Sequence, residues 1–489
     1  MSADELIILG VGAAILGAAL YRLRLGTFLA IAYPLGAMAM YIALRGTVMT
    51  AEQALTTTVF FTAYGLIASE RLHKTTVALV GAVAMLLLGL VTQEEALHGR
   101  GEVGGVDWNT IFLLIGMMVI VNIMRQTGVF EWVAIKSAKL GRGEPVTIMI
   151  LISVATALLS ALLDNVTTVL LTVPASLLIC RALNITPVPM IMCVILSSNI
   201  GGTATLIGDP PNIIIGSTAQ ISFLDFLNVN TPVVLVVFAV FLVTVKLFMP
   251  GRVHVTEEQR RNIEQFDETQ AITDKRLLRR SLVVFGVTLA GFTLHSVLHL
   301  EMATVALTGA ALMVLMYRPG PEEALREVEW PTIFFFIGLF VMVSALVKVG
   351  AVAIMGNALL AITAGNVVAS TMLVLWFSAI GSAVIGNVPF TATMTALIHS
   401  MAAAMHPEAG VIEAAHAPDV YPLWWALSLG ACLGGNLTLV GAAANLVGTG
   451  ISARAKHPIS FVRFMKYGVP ITLQGLILSA LYLWLRFLR

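Results

Sequence analysis

An acid and two amides sit where an uninterrupted membrane helix would carry only apolar side chains. Asn199 to Gly216 reads NIGGTATLIGDPPNIIIG. Asp209 supplies a carboxylate, Asn199 and Asn212 supply amides, and Thr203 and Thr205 add hydroxyls. Such a set can hold a proton, a small cation or a hydroxyl-bearing solute. It does not form a phosphate loop, because no GK[ST] motif accompanies the glycines. Apolar runs flank the stretch, from Pro189 to Leu196 and from Ile213 to Ile215. Pro210 and Pro211 lack N–H groups and the glycines disfavour helix, so the spacing predicts a broken helix over 187–216. A break at membrane depth leaves backbone groups without partners, which is tolerated only inside protein or along a wet cavity. Half-helix ends facing the midplane are how many secondary transporters hold a solute or ion.

The stretch occurs twice. Gly434 to Val447 reads GGNLTLVGAAANLV. Gly201, Gly202, Thr205, Leu206, Gly208 and Asn212 match Gly434, Gly435, Thr438, Leu439, Gly441 and Asn445, whereas Asp209-Pro210-Pro211 becomes Ala442-Ala443-Ala444. A second broken helix is therefore expected over 422–451, with Gly435, Asn436 and Thr438 at its centre.

The elements that would position these breaks are also duplicated. VDWNTIFLLIG at Val106 lies on VEWPTIFFFIG at Val328 at an offset of 222, and Asn165-Val166 lies on Asn387-Val388 at the same offset. At the breaks the offset is 233, and the extra 11 residues fit the polar segment from Ala404 to Asp419. Two apolar stretches, 146–180 and 366–404, are each too long for one crossing and have polar centres at Asp164-Asn165 and Gly386-Asn387. Each is either a pair of full crossings or a re-entrant hairpin. The Asn-centred tip flanked by short apolar arms favours re-entry.

With twelve crossings and two hairpins, 23 of the 28 Lys and Arg residues fall on one side, which the positive-inside rule makes cytoplasmic and which puts both termini outside. The chain then divides into two extra N-terminal spans (1–50, with spans near 5–21 and 26–44), a first repeat (51–250), a basic and acidic cytoplasmic linker (251–280) and a second repeat (281–489). Five crossings per repeat is an odd number, so the second copy is inverted. Phe130 to Leu140 and Val352 to Ile362 are expected to lie at the interface. The expected fold is an all-α polytopic membrane protein with two inverted five-helix repeats, each with a hairpin and a broken helix.

Composition excludes other classes. The 489 residues are 58% hydrophobic and 11% charged, far from the balance of a soluble domain. A net charge of +1 makes no electrostatic case for nucleic acid. Cys180, Cys193 and Cys432 all lie in apolar segments, without metal-ligand spacing or a disulfide pattern. MSADELIILG lacks the basic region of a cleaved signal peptide. No nucleophile–base pair or nucleotide motif is visible, so no enzyme activity, cofactor or metal centre is expected.

Asp164, an acid at a hairpin tip, reads as a proton or cation site, because acids within the membrane are costly and usually functional. The local alternative is a helix-capping Asp. Asp209 has a similar claim beside a Pro-rich turn. Asn165 and Asn387 read as binding residues because both copies keep them, whereas Asn212 and Asn445 read as partners of freed backbone. Cys432, two residues before the second break, is a candidate thiol ligand, although a buried free cysteine ordinarily serves as a small apolar filler. His295 and His299 share a helix face at an external end, where solvation outranks metal binding.

Three motifs carry a resemblance: Glu70-Arg71-Leu72-His73-Lys74, Leu163-Asp164-Asn165-Val166-Thr167-Thr168, and Gly202-Thr203 within Gly201 to Asn212. Over about residues 54–489 the chain resembles the ion-transporter superfamily, in particular its arsenite-efflux permease (ArsB type) branch, beside the pink-eyed-dilution permeases and NhaD antiporters. The resemblance implies two hairpins, two unwound helices, a moving transport domain and a homodimer. It places solute or ion at Asn165, Thr167 and Thr168 of the first tip, and at Asn387, Pro389 and Thr391 of the second. The second tip departs from the first by Gly386 for Asp164 and Pro389 for Thr167. The expected function is export of arsenite or antimonite across the cytoplasmic (inner) membrane by elevator-like alternating access, coupled to protons or membrane potential. A separate ATPase subunit is a conceivable partner. Sodium/proton antiport is the alternative, followed by an anion or dicarboxylate permease or a non-transporting membrane protein.

Overall fold

The computed structural model describes residues 17, 27–47, 49–98, 104–248, 256 and 268–489. The expected span 5–21 and most of the linker before 268 lie outside the described residues. Every regular element among the described residues is helical.

The helices form two compact units, each drawing on both sequence repeats. The first comprises Met1–Asp107, Trp330–Ala364 and Ala396–Ala414. Its main elements are α1 (Thr27–Arg45), α2 (Ala51–Ala68), α3 (Lys74–Leu87), α4 (Gln93–His98), α5 (Trp330–Lys348) and α6 (Ala351–Ile362), numbered here within the unit. Lipid provides no hydrophobic drive between helices, so association rests on close backbone approach. Accordingly α3 and α5 meet at Gly338, where an added Cβ would stand 2.8 Å from the Ala78 carbonyl oxygen. Thr75 Oγ1 donates to the Pro331 carbonyl at 2.7 Å, and Lys348 Nζ pairs with Glu95 at 2.9 Å.

The second unit comprises Trp108–Glu329, Gly365–Thr395 and Ala415–Arg489. It begins with α7 (Trp108–Arg125) and α8 (Val129–Leu140). A helix pair follows, α9 (Pro145–Leu162) and α10 (Asn165–Leu183), joined only by Leu163 and Asp164. The first broken helix is α11 (Val188–Gly202) and α12 (Pro210–Thr218), and α13 (Phe223–Phe248) comes next. After the linker come α14 (Lys275–Leu294) and α15 (Met302–Met316). The second helix pair is α16 (Val367–Ile385) and α17 (Asn387–Met405), of which α17 passes into the first unit at Ala396. The second broken helix is α18 (Tyr421–Gly434) and α19 (Ala443–Arg454), and α20 (Phe461–Leu483) ends the chain's regular spans. Gly116 of α7 packs on Ala306 of α15 as Gly338 packs on Ala78 in the other unit, with an added Cβ 2.8 Å from the Ala306 carbonyl carbon.

Among the described residues, nine helices are long and apolar enough to cross a membrane. This count goes by helix length and hydropathy alone, so it is a different quantity from the twelve crossings expected, one of which (5–21) lies outside the described residues. The arms of both helix pairs are 18 or 19 residues long rather than short, so all four count. Lys74–Leu87, Val188–Gly202 and Met302–Met316 are shorter apolar helices and do not. The outward faces are apolar: along α13, Leu235, Val236, Val243 and Leu247 are all more than half exposed, as lipid contact requires.

Two boundaries differ from expectation. α14 begins at Lys275 instead of 281, because Asp274 caps it, accepting from the N–H groups of Arg276 and Leu277 at 2.8 and 2.9 Å. The prolines do not break the first broken helix; they start its second half. Pro210 and Pro211 occupy the first turn of α12, where the missing N–H groups are not needed. In the second copy Ala443 and Ala444 open α19 at the same place.

The end of the linker is tied down. Glu268 accepts from Lys136 at 3.1 Å and Lys139 at 2.5 Å, and Thr273 N–H donates to the Thr127 carbonyl at 3.1 Å. The Lys139 hydrogen bond, helped by Lys136, pulls the Glu268 carboxyl from 4.5 down to about 2. A depressed carboxylate stabilises its docked state fully above the ordinary value and loses that contribution on acidification. Hydrogen-exchange protection across 268–273, taken relative to the intrinsic rate at each pH, should therefore hold above about pH 4.5 and fall as pH drops towards about 2. Glu268→Gln should exchange fast at every pH. A protection profile flat across that window would remove the ion pairs from the account.

Candidate functional site

Each break is built around one asparagine. Between α11 and α12 the chain runs irregularly through Thr203 to Asp209, and between α18 and α19 through Gly435 to Ala442. The last carbonyls of the first half-helix then lack helical partners. Asn212 Nδ2 reaches back to the carbonyls of Gly202, Thr203 and Thr205 at 3.4, 3.2 and 2.8 Å. Asn445 Nδ2 does the same for Gly435 and Thr438 at 2.7 and 2.8 Å. Leaving one such buried acceptor unpaired costs about 1–3 kcal/mol, which explains the asparagine in both copies.

The break hydroxyls hold the helix pairs. Thr205 Oγ1 donates to the Ala161 carbonyl, in the last turn of α9, and Thr438 Oγ1 to the Ala383 carbonyl at 2.5 Å, in the last turn of α16. Both hydroxyls thereby donate to backbone, and their oxygens keep acceptor capacity. Gly202 and Gly435 are likewise backbone acceptors of the asparagine caps.

The tips come to the breaks. Asn165 Nδ2 donates to Asn199 Oδ1 at 3.2 Å. Asn199 Nδ2 in turn donates to Asn436 and Asn445, each at 2.8 Å. Asn387 Nδ2 donates to both oxygens of Asp209 at 3.0 and 3.3 Å, and Asn387 N–H donates to the Gly441 carbonyl at 2.9 Å. Thus each tip asparagine meets the break of the other repeat, directly for Asn387 and through Asn199 for Asn165. Asp209 is fully buried, and its other neighbours are Cys432, Asn165 and Asp164, none of them basic.

A sequence profile described as citrate transporter (CitMHS) matches residues 64–430. The chain belongs to the CitMHS family. Among its relatives, uncharacterized transporters of Mycobacterium bovis and Mycobacterium tuberculosis are each 46% identical over 88% of this chain and 97% of their own length. The human P protein is 31% identical over 90% of this chain and 60% of its own length. The fold is similar to that of the YdaH transporter of Alcanivorax borkumensis, with a TM-score of 0.56 over 85% of this chain and 99% of that one, at 13% identity. The chain is a secondary transporter of the ion-transporter superfamily, and the family and relatives it matches are transporters rather than enzymes.

Within this CitMHS-family site the remaining expected residues divide. Asp164 takes the local role open to it: it caps α10, with Oδ1 accepting from Thr167 N–H at 2.8 Å. Thr168 Oγ1 donates to the Asp164 carbonyl, Thr203 Oγ1 to the Asn199 carbonyl and Thr391 Oγ1 to the Asn387 carbonyl, all within their own helices at 2.7 to 2.9 Å. Asn436 is buried and accepts from Asn199. Cys432 is buried and its thiol donates to Asn212 Oδ1 at 3.4 Å, beside Asp209, so it lies within the cluster rather than as remote filler. Sequence reasoning missed the hub role of Asn199, although it stood in the opening stretch. It also missed Ser428, whose hydroxyl donates to Asn212 Oδ1 at 2.6 Å, and Asn230, which donates to Ser428 at 2.7 Å. Asn230 stands just before Pro232 and the long apolar run from Val233 to Val243, next to Asn228 and Thr231, which gave no signal to single it out.

Proposed function

We propose that this chain is a proton- or cation-coupled exporter of a small, neutral, hydroxyl-bearing solute of the arsenite or antimonite kind, working by elevator-like alternating access. Asp209 carries the reading. A fully buried carboxylate whose neighbours are amides, a thiol and a second acid has no fixed counter-charge among those neighbours in the described residues, and such a group calls for a titrating proton or a bound cation. The same uncompensated acid disfavours a bare polyanion, so the citrate of the family's description is not the favoured solute. Amide, thiol and hydroxyl groups around the two tips and breaks suit a neutral trihydroxide, with Cys432 as a soft ligand for it.

The twinned contacts support the architecture behind this mechanism. Two repeats of five crossings, the second inverted, would explain why Gly116–Ala306 and Gly338–Ala78 are equivalent approaches, and why Thr205 and Thr438 make the same bond. The reach of both tip asparagines into the breaks favours re-entrant hairpins over surface-to-surface pairs. The basic side is assigned to the cytoplasm, with both termini external, and the assembly to a homodimer.

A second reading is sodium/proton antiport, favoured by the same Asp209 with its amide neighbours. Vesicles containing the purified chain separate the two when arsenite, antimonite, sodium and citrate compete. Arsenite flux that collapses with the pH gradient is expected. Sodium-dependent proton movement without arsenite flux would hand the assignment to antiport, and saturable citrate uptake would hand it to a carboxylate.

A further inference from the structure

A basic stretch follows the second broken helix and has no part in the transport site. From Arg454 to Lys466 the chain carries Arg454, Lys456, His457, Arg463 and Lys466 and no acid. Pro232 and Pro470 align at an offset of 238, and so do the serines that open the two helices, Ser222 and Ser460. At that offset the five basic positions read Gly216, Thr218, Ala219, Asp225 and Asn228 in the first copy.

The exchange at Arg463 is unfavourable in the protein alone. In the first copy Asp225 Oδ2 accepts from the Ser222 N–H at 3.0 Å and from its hydroxyl at 2.6 Å, and Asp225 N–H donates back to Ser222 Oγ at 3.2 Å. In the second copy Arg463 N–H still donates to Ser460 Oγ at 3.3 Å, but a guanidinium replaces the returning carboxylate. A cation in the first turn opposes the helix dipole, and the first turn of α20 holds no acid. Other basic groups are neutralised within the chain: Arg125 pairs with Glu327, and Lys136 and Lys139 with Glu268. Among the described residues no carboxylate pairs with Arg463 or Lys466.

The patch faces lipid. Arg463 and Lys466 are exposed and border, with Ser460, Val462 and Tyr467, a recess of about 450 Å³. Val462 and Lys466 begin the exposed stripe that continues along α20 through Leu473, Ile477 and Leu481. The charges therefore stand where the lipid-facing side of a spanning helix meets the headgroups.

We infer that this recess holds the phosphate of an anionic phospholipid. A guanidinium grips phosphate through paired N–H groups, and a lysine at a helix end reaches the same layer. Tyr467 adds a hydroxyl at the depth where tyrosines collect, and exposed Phe461 and Val462 offer apolar surface to the acyl chains. Basic pockets at the ends of spanning helices recognise such headgroups. The bound phosphate supplies the negative charge that Asp225 supplies in the first copy. It also braces the end of α20 that packs on the second break, where a Cβ on Gly468 would collide with the Asn436 carbonyl oxygen.

The test is thermal unfolding of the full chain in non-ionic detergent, with equal amounts of phosphatidylglycerol or phosphatidylcholine added. A ligand that binds only the folded state raises the melting temperature. Phosphatidylglycerol should add about 3 °C beyond phosphatidylcholine, and glycerol phosphate without acyl chains should add nothing. Arg463→Gln/Lys466→Gln should lose that increment. Arg463→Asp restores the pairing of the first copy. It should therefore melt at or above the wild type without added lipid, and gain no more from phosphatidylglycerol than from phosphatidylcholine. Arg279→Gln/Arg280→Gln, on the basic first turns of α14, should keep the full increment. Equal responses of the wild type to both lipids, or an undiminished increment in either Arg463 variant, would overturn the inference. So would an equal loss in Arg279→Gln/Arg280→Gln, which would show bulk charge at work. An equal gain from glycerol phosphate would overturn the lipid and make a soluble phosphate the occupant.

Discussion

Asp209→Asn is expected to abolish coupled transport while the chain still folds. The substitution keeps the shape of the side chain and most of its hydrogen bonding, but removes the one fully buried carboxylate among the site's amides. With no titrating group left at the break, the coupled step should slow by about a hundredfold, which is roughly 3 kcal/mol. Asp164→Asn is the paired measurement. Asparagine caps a helix about as well as aspartate, and the cap of α10 is the role the structure displays for Asp164. Its transport and melting temperature should stay within about twofold and about 0.5 kcal/mol of wild type. Both variants are read in vesicles with an imposed pH gradient. Collapse of coupled transport in Asp164→Asn, with Asp209→Asn unaffected, would exchange the two roles and return the first tip to the centre of the mechanism.

The second large effect is on stability. Gly201→Ala would place a Cβ 2.3 Å from the Ala157 carbonyl oxygen, and Gly434→Ala would place one 2.4 Å from Ala379 Cα. Both obstacles are backbone, so no side chain can rotate away. Each variant forces a broken helix away from the helix pair it braces and should lose about 3 kcal/mol, the upper part of the range for overpacking. Gly286→Ala is the control, because nothing lies within 4 Å of its added Cβ and it sits within α14. Replacing a helical glycine there should add about 0.5–1 kcal/mol. Thermal unfolding in detergent distinguishes the three. Equal melting of Gly201→Ala and Gly286→Ala would show that the break is not packed as tightly as the backbone positions require.

The two expectations meet at one place. The glycine contacts hold the helix pairs against the breaks, and the tip asparagines then reach Asp209 and Asn199. Transport that moved a tip relative to its break would have to exchange these hydrogen bonds for others of similar strength. That requirement suits a bound cation or solute that replaces them in turn.

Much of the architecture is legible in the sequence because its causes are local or repeated. Apolar length marks membrane helices, and glycine-rich breaks mark their interruptions. The offsets of 222 and 233 pair Asn165 with Asn387 and Asn212 with Asn445 before any coordinate is known. The structural role of Asn212 and Asn445 also follows from the sequence, because a break must satisfy its own nearby carbonyls. What the sequence could not decide is which polar group meets which across the repeats. That the Thr205 and Thr438 hydroxyls donate to the carbonyls of Ala161 and Ala383 is seen only in the packed structure. Asp164 and Asp209 look equivalent until one is found capping a helix and the other enclosed by Asn387 and Asn165. Asn199 and Asn230 look incidental until their amides are seen joining residues more than 190 positions away. Composition and spacing constrain contacts within a helix or between equivalent positions of a repeat. Hydrogen-bond partners between distant helices depend on side-chain direction at Å precision, and only the tertiary packing supplies it.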